Sequence, residues 1–201
     1  KGGNINAHGT FLNNWRTGGG IGLNASGLSI SELRGGPAIY KPSNINIWYN
    51  IHSDFRKPVS FGAFASVFHN EDDVESVSFG PEISYRAFDN LQISVETEYS
   101  KFSDTWAWRG IGLDSNSDKH YIFSDLDQKT LSMEMRADYT VTTNLSIQFY
   151  GQALFTAGEY TNFRETDQVR AASFNERFSE LENAITDLDV NGNDVLDIYN
   201  D

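Results

Sequence analysis

Hydrophobic and polar positions alternate strictly along residues 130–141, where Leu131, Met133, Met135, Ala137, Tyr139 and Val141 are apolar and the even positions between them polar or charged. A period of two gives a β-strand two chemically different faces, one oily and one charged. After the polar turn Thr142-Thr143-Asn144 the pattern resumes, with Leu145, Ile147, Phe149, Ala153 and Phe155 set against Ser146, Gln148, Tyr150 and Gln152. The two runs predict a hairpin over 130–155.

The same period recurs upstream. Ile5, Ala7, Gly9 and Phe11 alternate with Asn4, Asn6, His8 and Thr10, and a turn expected at 17–20 leads into a Gly-rich strand with Ile21, Leu23 and Ala25. A polar link over 31–43 carries Gly35-Gly36-Pro37 and Pro42; proline breaks strand pairing because it has no N–H to donate. Alternation restarts at Ile45, Ile47, Tyr49 and Ile51, turns at Arg56-Lys57-Pro58, and returns through Val59, Phe61, Ala63, Ala65 and Val67. Past a charged link at 70–73 comes Val77, Phe79, Ile83 and Tyr85, then the turn pair Asp89-Asn90, then Leu91, Ile93, Val95 and Tyr99. A loop is expected over 103–119, bearing Trp106 and Trp108, before the 130–155 hairpin. That makes about eight strands.

Short and long connections alternate along the chain, as in outer-membrane barrels with short periplasmic turns at one rim and longer loops at the other. Trp15, Phe55, Tyr85, Phe88 and Tyr139 fall beside the short turns and fit an interfacial girdle. The tail has another period. Phe174, Phe178, Leu181 and Ile185 have the spacing of one helical face and predict an amphipathic helix of about four turns. The chain therefore divides into barrel strands over 1–156 and an extracellular loop, helix included, over 157–201.

A soluble sandwich would also alternate. Two features favour a membrane. The strands reach the ~9–11 residues needed to cross a bilayer, longer than the globular average, and the polar face collects Glu82, Arg86, Glu96, Glu98, Glu134, Arg136 and Asp138, which suit a hydrated lumen. The expected fold is all-β, an antiparallel up-and-down transmembrane β-barrel. A net charge of −13 argues against a nucleic-acid partner, which needs clustered Lys and Arg. The absence of cysteine excludes disulfides and Cys-ligated metals. A negative mean hydropathy excludes a helical membrane protein but suits barrel strands, which are half polar. With Lys1 in place of an initiator Met, a processed product or a piece of a longer chain is expected.

Tyr121-Ile122-Phe123, the run 127–132, Arg136, the run 144–152 and Ala157-Gly158-Glu159-Tyr160 together resemble the C-terminal barrel of a Bacteroidetes envelope family of unassigned function. In that family a module similar to family-nine carbohydrate-binding domains precedes an outer-membrane barrel. The match covers about 121–164 and is diffuse before it. The resemblance implies a Gram-negative outer membrane, with its lipid and other envelope proteins as partners. It also implies an internal fragment, since members usually continue with further strands. The expected function is passage or uptake of a small hydrophilic solute, a saccharide on family analogy. The alternative is a closed surface barrel acting as receptor, adhesin or assembly partner without transport.

Candidate chemistry is sparse. Asp187, Asp189, Asn191 and Asn193, with Gly192 at the sharp turn, follow the first half of a calcium loop. Position twelve is Ile198 instead of the bidentate Glu, leaving Asp194 or Asp197 to substitute. A structural Ca2+ is the expected cofactor, and a solvated acidic loop the alternative. His52 with Asp54, or His120 with Asp118, share strand faces, but no Gly-x-Ser-x-Gly motif accompanies them. No catalytic residue is expected, and the chain is not expected to be an enzyme. Trp106 and Trp108 are expected either to stack on a sugar ring or to anchor at the interface.

Overall fold

The computed structural model describes residues 1–113, 119–181, 185–188 and 194–197. In chain order the elements are β1 (Gly2–Thr10), β2 (Arg16–Asn24), a small hairpin of β3 (Gly27–Ser29) and β4 (Ile39–Lys41), β5 (Asn44–His52), β6 (Val59–Asn70), β7 (Glu75–Phe88), β8 (Leu91–Leu113), β9 (Lys119–Thr142) and β10 (Leu145–Thr166). A single helical turn, α1 (Phe174–Arg177), leads into β11 (Phe178–Glu180), and β12 (Ile185–Leu188) pairs with β13 (Asp194–Asp197). The main sheet runs β1-β2-β5-β6-β7-β8-β9-β10-β11, antiparallel throughout. Among the described residues β1 pairs with β2 alone, so the sheet is open and the expected closure into a barrel is not formed within it.

Register puts the odd positions of every long strand on one face. Ile5, Ile21, Ile47, Val67 and Val77 are successive cross-strand partners, as are Val95, Met135 and Gly151. A slip of one residue at any pairing would turn one strand's apolar set to the other side. On the central strand β7 the apolar face is also the more exposed one. In β7, Val77, Phe79, Ile83 and Tyr85 are exposed while Ser76, Ser78, Glu82 and Ser84 are half-buried; Phe79 keeps 53% of its surface accessible. A sheet in water does the reverse, burying its apolar side against a second layer.

The strands are inclined to the apolar band. A row of partners runs Thr10, Arg16, His52, Gly62, Glu82, Glu96, Glu134, Gln152. It begins at the first short turn but meets β10 at Gln152, seven residues beyond that strand's start at Leu145. The rim thus slips by one residue per strand over seven steps. With ~3.3 Å rise and ~4.8 Å spacing this is an inclination of about 35°, within the range of barrel strands. On β9 the apolar set from Leu131 to Val141 then covers about 27 Å normal to the rim, close to the apolar belt of outer-membrane barrels.

Strands β8, β9 and β10 rise far beyond this band, where the odd positions of β9 become Lys129, Asp127 and Asp125. The principal buried core is here, at the end carrying the long connections: Leu33 and Ile39 from the β2–β5 connection, Val74 from the β6–β7 connection, Trp106 of β8, Phe123 of β9 and Phe178 of β11. Tyr40 N–H donates to the Val169 carbonyl at 2.7 Å, joining connections whose parent strands lie several positions apart in the sheet. The connections thus interlock as a cap.

Four expectations are corrected. The 103–119 loop is strand on both sides, β8 reaching Leu113 and β9 starting at Lys119. Two register shifts in the β8–β9 pairing, between Asp104 and Ala107 and between Trp108 and Gly110, break the alternation there. The expected four-turn helix is only α1, because Phe178 pairs with Thr166 of β10 and packs against Phe123, which overrides the helical spacing. β10 also runs through the expected domain boundary at 156 to Thr166. The turn expected at 17–20 lies at 11–15 instead, and Gly18 and Gly20 sit inside β2. A methyl group at Gly20 would collide with Asn6 and Trp48, and one at Gly18 with His8. Side chains of β1 and β5 fold over β2 at these glycines, His8 and Trp48 meeting at 5.7 Å between ring centroids.

Candidate functional site

All seven expected lumen residues lie on the polar face. Glu82, Glu96 and Glu134 are direct cross-strand partners on β7, β8 and β9. Like charges set opposite one another destabilise a sheet, so this row is kept against its own electrostatics. Glu134 accepts a hydrogen bond from the Tyr150 hydroxyl at 3.0 Å, and His52 Nδ1 lies 3.8 Å from Glu82 Oε2. Among the described residues no Lys or Arg forms an ion pair with any of the three glutamates. Arg136 donates instead to Asp138 at 2.9 Å, which also accepts from Gln148 at 2.8 Å. Arg86 lies opposite Gln92, and Glu98 opposite Ser132. The face thus presents carboxylates without a Lys or Arg partner at mid-height of the apolar band, the Arg136–Asp138 pair below them, and small or hydroxylated residues around them.

At the short-turn rim Asp54 accepts from Arg56 through Nε at 2.9 Å, Nη2 at 2.8 Å and the backbone N–H at 3.0 Å. Those side-chain bonds, more than the backbone bond and the guanidinium charge, hold its carboxyl down to about 2 from an ordinary 3.8. Because the folded-state value is depressed, this stabilisation is complete above the unfolded value and is lost as pH falls through the folded one. Asp54→Asn is expected to flatten the acid limb of the stability profile, followed as acid-induced loss of β signal from pH 5 to pH 2; an unchanged limb would contradict the assignment.

At the other end the cap is centred on Arg177, which is fully buried. Its Nη2 is paired with Asp72, its Nη1 donates to the carbonyls of Ala171 and Ala172 at 3.2 and 2.8 Å, and the guanidinium lies 5.2 Å from the Tyr40 ring centroid. Beside it, Arg164 pairs with Asp125 at 2.9 Å and donates to the Thr105 carbonyl. Trp106 lies not on a loop but in β8, its ring packed near Phe123 and Phe178 at centroid distances of 6.2 and 6.0 Å. Trp108 is half-buried, edge-on to Phe123 and overlain by Arg34. Both indoles line a cavity with Asp104. Burial pushes the Asp104 carboxyl up, the Trp106 backbone N–H works against this, and the charges of Asp125 and Glu32 add to it.

Of the expected calcium ligands, Asp189, Asn191 and Asn193 lie outside the described residues. Asp187 stands in β12 opposite Val195, and Asp194 and Asp197 in β13. His52 approaches Glu82 across the sheet, while His120 Nδ1 lies 2.6 Å from Glu165 Oε2. Sequence reasoning missed the cap pair Asp72–Arg177, because Arg177 reads as the polar face of a helix.

The fold defines an all-β protein built on one long antiparallel sheet. The chain belongs to the family described as domain of unknown function DUF5916, whose model matches residues 2–191. No curated protein and no solved structure matches it.

Proposed function

We propose that this sheet is part of the wall of an outer-membrane β-barrel that passes a small hydrophilic solute, and that the polar face lines the passage. One observation carries the reading: an apolar band of exposed and half-buried side chains, continuous across eight strands and inclined about 35° to them. Left in water, that band would be an aggregating surface; in a bilayer it is the expected lipid contact, with Trp15, Phe55, Phe88 and Tyr139 at the interface. On the resemblance described above, the protein belongs to a Bacteroidetes envelope and follows a carbohydrate-binding-like module, and a saccharide is the solute class this suggests. Outer-membrane lipid is the partner, and the reading assigns no reaction to the chain.

The interlocked cap supports a second reading, a barrel closed at its outer mouth that binds without transporting. Conductance across a planar bilayer separates the two. An open passage lined by Glu82, Glu96 and Glu134 is expected to carry a steady current that prefers potassium over chloride. The Glu82→Gln, Glu96→Gln, Glu134→Gln triple variant is expected to lose most of that preference while conductance persists. Insertion without steady current would favour the closed barrel, and an anion preference would overturn the assignment of the lining.

A further inference from the structure

Between the cap connections and the upper part of β8 and β9 lies a cavity of about 300 Å³. That is room for about ten waters at ~30 Å³ each, the lower end of the size of a small-molecule site. Its polar wall comes from three segments: Glu32 and Lys41 on the β2–β5 connection, Asn70 at the end of β6, and Asp104 on β8. Its apolar wall is Val74, Phe123, Trp106 and Trp108.

Each polar group is fixed by the fold and keeps capacity for a ligand. Asn70 Oδ1 accepts the N–H groups of Asp72 and Val74, both at 2.9 Å, which orients the amide and leaves Nδ2 to donate. Asp104 Oδ1 accepts the Trp106 backbone N–H at 3.0 Å, leaving Oδ2 to accept. Lys41 Nζ donates one bond to Glu32 Oε1 at 2.9 Å, leaving two N–H groups and the second Glu32 oxygen. The wall therefore offers both donors and acceptors beside apolar side chains.

Charge narrows the ligand class. Glu32 and Lys41 neutralise each other, and an organic cation meets Lys41. An anion meets Asp104 and Glu32. A neutral polyol meets neither repulsion. Each of its hydroxyls both donates and accepts, and the C–H face of a sugar ring matches the apolar wall.

We infer that this cavity is a capture site for one unit of a neutral saccharide, held by Asp104, Asn70 and the Glu32–Lys41 pair against Phe123 and Val74. The site deepens the passage reading, on which its placement at the outer mouth rests. Binding here is chosen by hydrogen-bond geometry, so a sugar that presents its hydroxyls in the wrong order leaves Asp104 or Asn70 unpaired.

The test is titration of the full chain in detergent with glucose, galactose, mannose and maltose, followed by tryptophan fluorescence and calorimetry, with choline and arginine as cationic probes. At least one sugar is expected to give a saturable response. Asp104→Asn, which keeps the acceptor for the Trp106 backbone N–H but replaces the free oxygen with a donor, is expected to weaken it at least tenfold, as is Lys41→Met, with the far-ultraviolet β signal unchanged in both. No saturable response to any of the four sugars, unaltered binding by both variants, or choline or arginine binding in place of sugar would overturn the inference. A protein that conducts but binds no sugar refutes this site alone; one that binds sugar but carries no current refutes the passage alone.

Discussion

Asp72→Ala is expected to destabilise the cap by about 3–5 kcal/mol, because it leaves the fully buried Arg177 guanidinium without its counter-charge. The two carbonyls of Ala171 and Ala172 would still accept from Nη1, but no described group replaces the carboxylate. Removing both partners costs less than removing one, so Asp72→Ala combined with Arg177→Met is expected to recover a large part of the loss. The readout is amide hydrogen exchange at Tyr40, Asp167 and Arg177, whose N–H groups bond Val169, Arg177 and Ser173 carbonyls within the cap. Protection should fall at these amides in the single variant while amides of β5 to β7 in the apolar band stay protected. Equal protection in the single variant and the parent would show that the ion pair does not hold the cap. The same experiment bears on the closed-barrel reading, since a cap that seals the mouth should admit current once loosened.

The second large effect lies on the opposite face. Met135→Arg is expected to lower the stability of the membrane-inserted protein by about 2–4 kcal/mol, the cost of a cation at mid-depth on a lipid-facing strand. Met135 is the middle of the exposed apolar run of β9 and pairs with Val95 and Gly151, so the arginine has no polar neighbour opposite it. Ser132→Arg, three residues away but on the polar face opposite Glu98, is expected to cost much less. Urea unfolding from lipid vesicles measures both. Equal costs at the two positions would remove the distinction between the faces on which the membrane reading depends.

Much of the sheet was legible because its register obeys one parity. The apolar runs from Ile5 to Phe11, Ile45 to Tyr99 and Leu131 to Phe155 that define the strands fall on odd numbers, and the turns at 56–58, 89–90 and 142–144 carry familiar turn residues. The seven polar-face residues could be read from alternation alone, though not that Glu82, Glu96 and Glu134 stand directly opposite one another, which depends on strand pairing. Alternation failed where the backbone departs from a plain strand. The register shifts around Trp106 and Trp108 turned strand into apparent loop. Gly18 and Gly20 read as a turn when their role is to let His8 and Trp48 pass over β2. The spacing of Phe174 and Phe178 suggested a helix, but the two rings instead pack together at 4.9 Å between centroids beside the cap core. The cavity was invisible because Glu32, Asn70, Asp104 and Phe123 come from four separated segments, none with a motif of its own.

The central claim is that odd positions face lipid and even positions face water. The chain has no cysteine, so single cysteines can be placed at each position from 131 to 141 and spin-labelled in lipid vesicles. Accessibility to oxygen, which concentrates in lipid, and to a water-soluble nickel chelate is then measured along the strand. The account predicts a period of two in both, in opposite phase, with oxygen highest at the Leu131, Met133, Met135, Ala137, Tyr139 and Val141 positions and the chelate highest at the even ones. High chelate accessibility at the odd positions would contradict it, because the apolar face would then stand in water.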